Sequence, residues 1–517
     1  MSNTEAELKL RLADPSCLDR LLTSPLLGEL SDQPPRKQTL ETTYYDTSDQ
    51  RLLKSRLSYR LRLADGKWTA TVKADGSSNG GLHQRAEYNI PVDSPTPDIG
   101  QFIATDIGVR LAQAVGDMLL APIFSTRFER HILDIKTPDG SNIELALDNG
   151  AIIAGDKQQH ILELELELKD GNPLALVWLG AALAQEFPLL PEQDSKLYRA
   201  IVLAGLVNNL SRNNPAPPPL QKTSSATSAY LVLSQVIIFY IHEVIRTQQL
   251  FLSNPDDIET LHDFRVTLRR LRVLISFAKP LLPAEGFAAW QDKLRHIGSQ
   301  LGAVRDLDVF SLAWNQLTDY MTEIVPTAKP VLSTLIADKR QAARNKLYAT
   351  VAAGQSTPVL LGLWAFIQEW AETRADDNLL PFADFAENRL SGWVKKFLKM
   401  GNNINLADMN AVHKLRIAGK RIRYALDALS PALPDNTRLL SKRLKELQNL
   451  LGRIHDIAFT PALINELVKA SASRLAHRDA GLIIGWQLAQ SSDAVADWGK
   501  IWPKTKKAAA KFKHTAP

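Results

Sequence analysis

The sequence predicts an α+β protein, with an antiparallel sheet in its first part and an all-α region in the rest. Apolar residues recur at i, i+3, i+4 and i+7 from about residue 229 onward, as in 261–277, which is the period of a helix. Before residue 170 several stretches have a period of two, which is typical of strands, and helical windows at about 15–30 and 100–119 interrupt them. The alternating stretches are EAELKL (5–10), LSYRLRL (57–63), KWTATVK (67–73), QRAEYNIPV (84–92), NIELALDNG (142–150) and ILELELELK (161–169).

The change of period divides the chain into two predicted domains. A run of Asn, Pro and Ser without periodicity predicts a linker at 208–228. We therefore predict a sheet domain with flanking helices at 1–207 and a helical domain at 229–517. A chain of 517 residues also exceeds what one hydrophobic core usually supports.

Charge is distributed unevenly between the two parts. Residues 1–210 carry 21 Lys and Arg against 29 Asp and Glu, a net charge of −8, and the remainder carries +13. A basic part of this size indicates a polyanion partner, which is nucleic acid, a membrane surface or polyphosphate. The single cysteine, Cys17, excludes a disulfide framework and a multi-cysteine metal site. The start of the chain does not read as a signal peptide, and we expect a cytoplasmic protein without a membrane span.

One face of the predicted strands is almost entirely charged. Glu5, Glu7 and Lys9 share a face because side chains two apart in a strand point the same way. If strands of both charge signs close into a barrel, this face lines a wet lumen. The alternative is a solvated sheet face with salt-bridge ladders between strands. The acidic set is Glu5, Glu7, Glu144, Asp148, Glu163, Glu165 and Glu167; the basic set is Lys9, Arg60, Arg62, Lys73, Arg85, Arg127, Arg130, Lys196 and Arg199.

These two sets suit a site for a metal ion and phosphate. Carboxylate clusters without cysteine suit Mg²⁺ or Mn²⁺. Guanidinium groups match phosphate oxygens in geometry and charge. The phosphate loop GxxxxGK[ST] is absent, which excludes a P-loop nucleotide hydrolase.

The helical part contains an internal repeat. LHDFRVTLRRLR (261–272) aligns with VHKLRIAGKRIR (412–423) at an offset of 151, and Leu301-Gly302 aligns with Leu451-Gly452 at an offset of 150. Each repeat places four basic residues on one stripe of a helix, and two matched stripes favour a bound anion over a solvated surface. The stripes are His262, Arg265, Arg269 and Arg272, and His413, Arg416, Lys420 and Arg423.

These motifs resemble two known families. Glu5-x-Glu7-x-Lys9 looks like the ExExK signature of the CYTH superfamily, the triphosphate tunnel metalloenzymes. GLHQRAEYN (81–89), ELELEL (163–168) and SKLYR (195–199) follow in the same order. The second part resembles a CHAD domain, a helical module associated with polyphosphate binding. A CYTH domain followed by a CHAD domain is similar to the arrangement in bacterial inorganic triphosphatases.

The resemblance implies an eight-stranded antiparallel tunnel, followed by an all-α domain of two related helical bundles. It also implies site residues by position. Implied catalytic residues are Glu5, Glu7, Lys9 and Glu165; metal ligands are Glu5, Glu7, Asp148, Glu163 and Glu165; phosphate ligands are Lys9, Arg60, Arg62, Lys73, Arg85, Arg127, Lys196 and Arg199. The two basic stripes are the implied polyphosphate site. The choice among Glu163, Glu165 and Glu167 stays open.

The expected activity is metal-dependent hydrolysis of inorganic triphosphate to phosphate and diphosphate, with Mg²⁺ or Mn²⁺ as cofactor. Inorganic polyphosphate is the expected partner of the helical domain, and nucleic acid is not. An adenylyl cyclase or a thiamine-triphosphatase on the same tunnel fold is one alternative. A polyphosphate-binding adaptor with a vestigial tunnel is another.

Overall fold

The computed structural model describes residues 4–206, 227–324, 331–374, 380–435, 437–469 and 474–512. These residues form two compact units. The first holds the described residues up to 206 together with 350–366, and the second holds the others. Residues 208–226 of the predicted linker lie outside the described residues, and the domain boundaries stay a prediction.

A closed antiparallel barrel dominates the first unit, which confirms the predicted fold class. Strand β1 pairs with both β5 and β8, so the order β1-β5-β4-β3-β2-β6-β7-β8 returns to β1. A short ninth strand, β9, pairs with the end of β1. The strands are β1 Thr4–Leu12, β2 Arg36–Asp46, β3 Leu57–Ala64, β4 Lys67–Asn79, β5 Leu82–Val92, β6 Ala121–Lys136, β7 Asn142–Ala154, β8 Lys157–Asp170 and β9 Leu189–Pro191.

The alternation of side chains puts the charged register of the strands inside the barrel. Lys9 lies opposite Glu165 in the β1–β8 register, and its ammonium contacts that carboxylate. Lys73 lies opposite Glu87 in the β4–β5 register, and their charged groups are 2.5 Å apart. The charged face of EAELKL therefore faces a lumen rather than open solvent.

Helices cover the apolar register on the outside of the barrel. Tyr59 on β3 packs in one cluster with Phe102 and with Leu111 of α4. Leu8 on β1 lies under α5, where a Cβ added at Gly180 would be 2.6 Å from its Cδ2 atom. Burying each such side chain contributes about 1.5–3 kcal/mol, so these contacts hold the barrel wall in place. The helices are α1 Leu18–Leu22, α2 Pro25–Leu30, α3 Arg51–Lys54, α4 Gly108–Val115, α5 Leu174–Glu186 and α6 Lys196–Leu203.

Helix α6 fills one end of the barrel. Its Ala200 and Ile201 pack against apolar side chains of the inward register, including Tyr44, Phe128 and Ile161. The hydroxyl of Ser195 accepts a hydrogen bond from the Tyr198 backbone and caps the helix. This plug leaves the charged part of the lumen as a separate compartment.

Nine further helices follow among the described residues. Two of them, α10 and α11, each run from one compact unit into the other. They are α7 Ala229–Ser253, α8 Ile258–Ala278, α9 Ala284–Ile324, α10 Leu332–Ala352, α11 Thr357–Glu372, α12 Phe382–Asn402, α13 Met409–Leu429, α14 Thr437–Lys469 and α15 Arg474–Phe512.

The geometry of the second unit reproduces the sequence repeat. Helices α8 and α13 both have 21 residues, and the side chains of Asp257 and Asp408 cap their N-termini. Arg265 on α8 lies over Gly302 of α9, and Arg416 on α13 lies over the matching Gly452 of α14. The glycine of each repeat therefore leaves room for the matching arginine.

One described helix, α7, is long and apolar enough to cross a membrane by length and composition alone. Buried helices of soluble proteins meet the same criterion, and 56% of its most apolar window is buried inside the protein. α7 packs on α8, with the rings of Phe251 and Phe264 at 6.3 Å. The bent pair α10 and α11 meets the criterion only when the two are taken as one span.

Candidate active site

The charged part of the barrel encloses a cavity of about 370 Å³. Eight basic and six acidic side chains line it, together with Tyr44, Leu197 and four small polar residues. The basic residues are Lys9, Arg60, Arg62, Lys73, Arg85, Arg130, Lys169 and Lys196; the acidic residues are Glu5, Glu7, Glu87, Glu144, Glu165 and Glu167. Most of the predicted site residues therefore meet in one enclosed space.

On one wall, the two glutamates of the ExExK stretch are held by bases from β4 and β5 and by Lys9 of the same stretch. Glu5 accepts hydrogen bonds from Lys73 at 2.9 Å and from the Nε atom of Arg85 at 3.0 Å. Glu7 is buried and contacts Arg85, and the Lys9 ammonium lies 3.1 Å from it. The carboxylates and bases of this wall are thus interleaved.

A second group of carboxylates converges deeper in the barrel. Asp148, Glu163 and Glu165 are buried, and each offers an oxygen within 4.8 Å of the oxygens of the other two. Oxygens bound to one Mg²⁺ at about 2.1 Å lie about 3–4 Å apart, so this donor set fits a hard divalent cation after a small adjustment. Glu167 lies outside the group, because it pairs with Lys169 at 2.8 Å.

Bases surround this carboxylate group and keep Glu163 and Glu165 ionised. Burial raises the pKa of Glu165, but the charges of Lys196, Lys9 and Arg130 outweigh it and hold that pKa well below the ordinary value. The same balance lowers the pKa of Glu163, with Lys196 and Arg199 as the main opposing charges. Both side chains are therefore carboxylates at neutral pH.

Arg62 differs from the other bases of the cavity. Its Nε atom donates to Thr42 at 3.1 Å, and among the described residues no carboxylate lies within ion-pair distance of its guanidinium. Burial and the neighbouring charges of Arg60 and Arg130 lower the pKa of Arg62 to about 10. A half-buried cation in this position is stabilised when an anion enters the cavity.

Two of the predicted phosphate ligands lie elsewhere. The side chain of Arg127 is 70% exposed and pairs with Glu41 at 3.1 Å on the outer face of β6, because it has the register of the outward residues. Arg130, three residues on, faces inward and pairs with Asp148 at 2.6 Å. Arg199 is behind the carboxylate group rather than on the cavity wall, and its Nη2 atom donates to Glu163 at 2.6 Å.

Glu87 and Tyr44 also line the cavity, although neither was in the predicted catalytic, metal or phosphate sets. Glu87 lies opposite Lys73 and also bonds to Arg60 at 3.2 Å, and strand parity alone would have placed it inside. Burial raises the pKa of Tyr44, but the charges of Arg60 and Arg62 outweigh it and lower that pKa. No charge pattern in the sequence marks this tyrosine.

The two basic stripes of the second unit lie on α8 and α13, which pack against each other. All eight side chains are half-buried. Burial and the nearby charge of Arg269 lower the pKa of Arg265 to about 10, although Asp306 lies 3.8 Å from its guanidinium. Arg423 bonds to Gln448 and Asp427 at 2.9 and 3.0 Å. In the first stripe, by contrast, Arg265 and Arg269 lie close enough to repel each other.

Comparison with known protein families agrees with this arrangement. The model of the CYTH domain matches residues 3–201, and the model of the CHAD domain matches residues 239–465. The chain joins a CYTH domain to a CHAD domain. The barrel and the carboxylate group described above lie in the CYTH domain, and both basic stripes lie in the CHAD domain.

Individual relatives cover different parts of the chain. An inorganic triphosphatase from Haemophilus influenzae is 40% identical over 165 residues, which are 32% of this chain and 46% of that relative. The match therefore spans less than half of that relative's length. An uncharacterized protein from Mycobacterium tuberculosis is 24% identical over 472 residues, covering 86% of this chain and 85% of the relative. The crystal structure of the CHAD domain from the plant Ricinus communis is 25% identical, covers 57% of this chain and 97% of that chain, and has a TM-score of 0.48.

Proposed function

We propose that the CYTH domain hydrolyses inorganic triphosphate to phosphate and diphosphate with Mg²⁺ or Mn²⁺. The observation that carries the proposal is the cavity, where Glu165 of the buried carboxylate group meets several bases. One of these bases is Arg62, and in the part of the chain that the structure describes no carboxylate lies within ion-pair distance of its guanidinium. The similarity to an inorganic triphosphatase over the same domain supports it.

In this proposal the two sets of side chains have separate tasks. Asp148, Glu163 and Glu165 would hold the cation, which supplies neutralisation of phosphate charge and assists attack by water. Arg60 and Arg62 would bind phosphate oxygens and offset the charge that develops as the phosphoryl group leaves. Glu5 and Glu7 stay proposed metal-site and water-positioning residues. Lys9, whose ammonium contacts both Glu7 and Glu165, stays a proposed phosphate ligand and catalytic residue.

The lining of the cavity favours a bare triphosphate over a nucleotide or thiamine triphosphate. Tyr44 is the one aromatic residue among its described lining residues, and α6 fills the other end of the barrel. A nucleoside or a thiazolium ring needs an apolar or aromatic surface to rest on. A charged linear substrate such as triphosphate needs no apolar or aromatic surface.

A substrate panel tests the proposal on the full chain. Tripolyphosphate, ATP and thiamine triphosphate are each supplied with Mg²⁺ or Mn²⁺, and released phosphate is measured. We expect fastest turnover with tripolyphosphate and loss of turnover with a chelator. Absence of turnover across metals and pH values would leave the polyphosphate-binding adaptor as the better account.

For the CHAD domain we propose binding of inorganic polyphosphate on the two basic stripes. The crowding of Arg265 and Arg269 supports an anion, because bound phosphate relieves their mutual repulsion. Retention of the full chain on immobilised polyphosphate, competed with single-stranded RNA, tests this choice of partner. A cytoplasmic location without membrane attachment is part of the proposal, and cell fractionation tests it.

A further inference from the structure

Lys196 lies at the point where the three buried carboxylates converge. Its Nζ atom is 2.8 Å from the Oδ2 atom of Asp148 and 2.8 Å from the Oε1 atom of Glu165. It also contacts the Oε1 atom of Glu163. The ammonium therefore touches all three members of the group that fits a divalent cation.

The other bases around the group have narrower contacts. Lys9 reaches Glu165 but neither of the other two carboxylates, and Arg199 reaches Glu163. Arg130 bonds to Asp148 and to Glu165. Among the described residues, Lys196 alone contacts the complete set.

The surroundings of Lys196 fix its backbone but leave room for a second side-chain position. Lys196 is the first residue of α6, and Ala200 and Ile201 of this helix are buried at the end of the barrel. The ring of Phe128 lies 5.1 Å from the ammonium. The residue also lines the open cavity. A lysine side chain has four flexible carbons, so its ammonium can move while the helix stays in place.

An ammonium and a divalent cation cannot share this position. Mg²⁺ binds oxygens at about 2.1 Å, and the same oxygens here are already in contact with Nζ. Two cations this close in a partly buried site also repel each other strongly. One of the two has to leave the carboxylates.

We propose that the Lys196 ammonium occupies the divalent-cation position in the substrate-free protein and must withdraw into the cavity for the metal to bind. There it would meet the oxygens of an incoming triphosphate, so that metal and triphosphate enter together. This inference rests on the proposed metal-dependent function. Because binding linkage is reciprocal, each of the two ligands raises the affinity for the other.

Manganese binding to the full chain without triphosphate tests the inference. Free Mn²⁺ is measured by electron paramagnetic resonance for the wild type, for Lys196→Met and for Lys9→Met. Both variants remove an ammonium that contacts the Oε1 atom of Glu165, but only Lys196→Met removes the one that contacts all three carboxylates. We expect Lys196→Met to bind Mn²⁺ at least about tenfold more tightly than the wild type, and Lys9→Met to gain clearly less. Equal gains in both variants, or no gain in Lys196→Met, would overturn the inference.

A measurement on the wild type alone avoids any folding defect of the variants. Reductive methylation followed by mass spectrometry reports how reactive each lysine is. We expect saturating Mn²⁺ to increase the methylation rate of Lys196 several-fold, because its ammonium is released from three carboxylates. An unchanged rate at saturating Mn²⁺ contradicts the inference.

The two proposals fail in different ways. If neither wild type nor Lys196→Met binds Mn²⁺, even with tripolyphosphate present, the metal-dependent function is wrong, and the inference falls with it. If the wild type binds Mn²⁺ with tripolyphosphate and Lys196→Met gains nothing without it, only the role of Lys196 is wrong.

Discussion

The lumen of the barrel and the basic stripes of α8 and α13 are both rich in cations, but they use them differently. In the lumen, bases alternate with acids, as where Lys73 lies between Glu5 and Glu87. In the first stripe, Arg265 is next to Arg269, and the facing carboxylate of Asp306 is 3.8 Å away. Mixed charge suits a metal and phosphate together, whereas charge of one sign suits a polyanion without a metal.

Removal of a lumen carboxylate gives the largest expected effect. Glu165→Gln removes a charge that contacts Lys9, Arg130 and Lys196, so we expect triphosphatase turnover to fall by about 10²–10³-fold. Phosphate release from tripolyphosphate measures it. Glu167→Gln is the matched control on the same strand and should reduce triphosphatase turnover much less. Equal losses in the two variants would contradict the assignment of the reaction to the buried carboxylate group.

Arg62 and Arg127 give the next comparison, between an inward and an outward arginine. Arg62→Met removes a half-buried cation available to phosphate, and we expect KM for tripolyphosphate to rise by about 10–100-fold, the equivalent of one charge-assisted hydrogen bond. Arg127→Met should leave KM within about twofold, because exposed ion pairs contribute little. An Arg127 effect as large as that of Arg62 would contradict the assigned faces of the barrel.

A smaller effect is expected from the stripes, because the binding energy of a polyanion is spread over many contacts. Arg265→Met and Arg416→Met, at matched positions of the repeat, should each weaken polyphosphate retention by a few-fold, and together by about tenfold. Elution salt from a polyphosphate column measures this. Arg438→Met, which removes an exposed residue paired with Asp435, is the control. Triphosphatase turnover should not change in any of the three.

The last prediction concerns stability and pH rather than turnover or binding. Burial and the charge of Lys9 lower the pKa of His83 in the lumen to about 4 from an ordinary value of 6.5. As pH falls from 6.5 to 4 the unfolded chain takes up this proton first, so the free energy of unfolding decreases by up to about 3 kcal/mol.

Thermal unfolding of the full chain between pH 7 and pH 4 measures this contribution. His83→Gln should flatten the pH dependence, since glutamine can still bond to the Glu192 carbonyl that His83 contacts at 3.0 Å. His160→Gln, on the exposed part of β8, should leave the dependence as in the wild type. Parallel curves for wild type and His83→Gln would contradict the assignment.

The sequence was most informative where only one register of a strand carries charge. In EAELKL and ILELELELK the period of two assigns every glutamate to the same face, and the closed barrel puts that face inside. The run TRFERH in β6 carries charge in both registers, so its alternation did not choose between Arg127 and Arg130. Only the pairing of β6 with β7, which sets Arg130 opposite Asp148, resolves the choice.

The periodicity of the sequence does not predict contacts between elements that are far apart along the chain. Glu163, Glu165 and Glu167 share one face, so nothing in the strand pattern separates them. Two contacts distinguish these glutamates. Helix α6 brings Lys196 and Arg199 to Glu163, and Lys169 pairs with Glu167 outside the carboxylate group. The tasks of these side chains depend on where a helix some 30 residues further along the chain enters the barrel.

Closure of the barrel through β1 also affects how fast this protein folds. The contact between Lys9 and Glu165 joins residues 156 positions apart, and β1 pairs with β5 as well. Contacts between residues far apart in sequence slow folding, because chain entropy is lost before the contacts form. The hairpins β3–β4 and β7–β8 can form early from neighbouring residues. The docking of β1 is therefore expected to be the slow step, and the carboxylate group and its bases come together only when that step is complete.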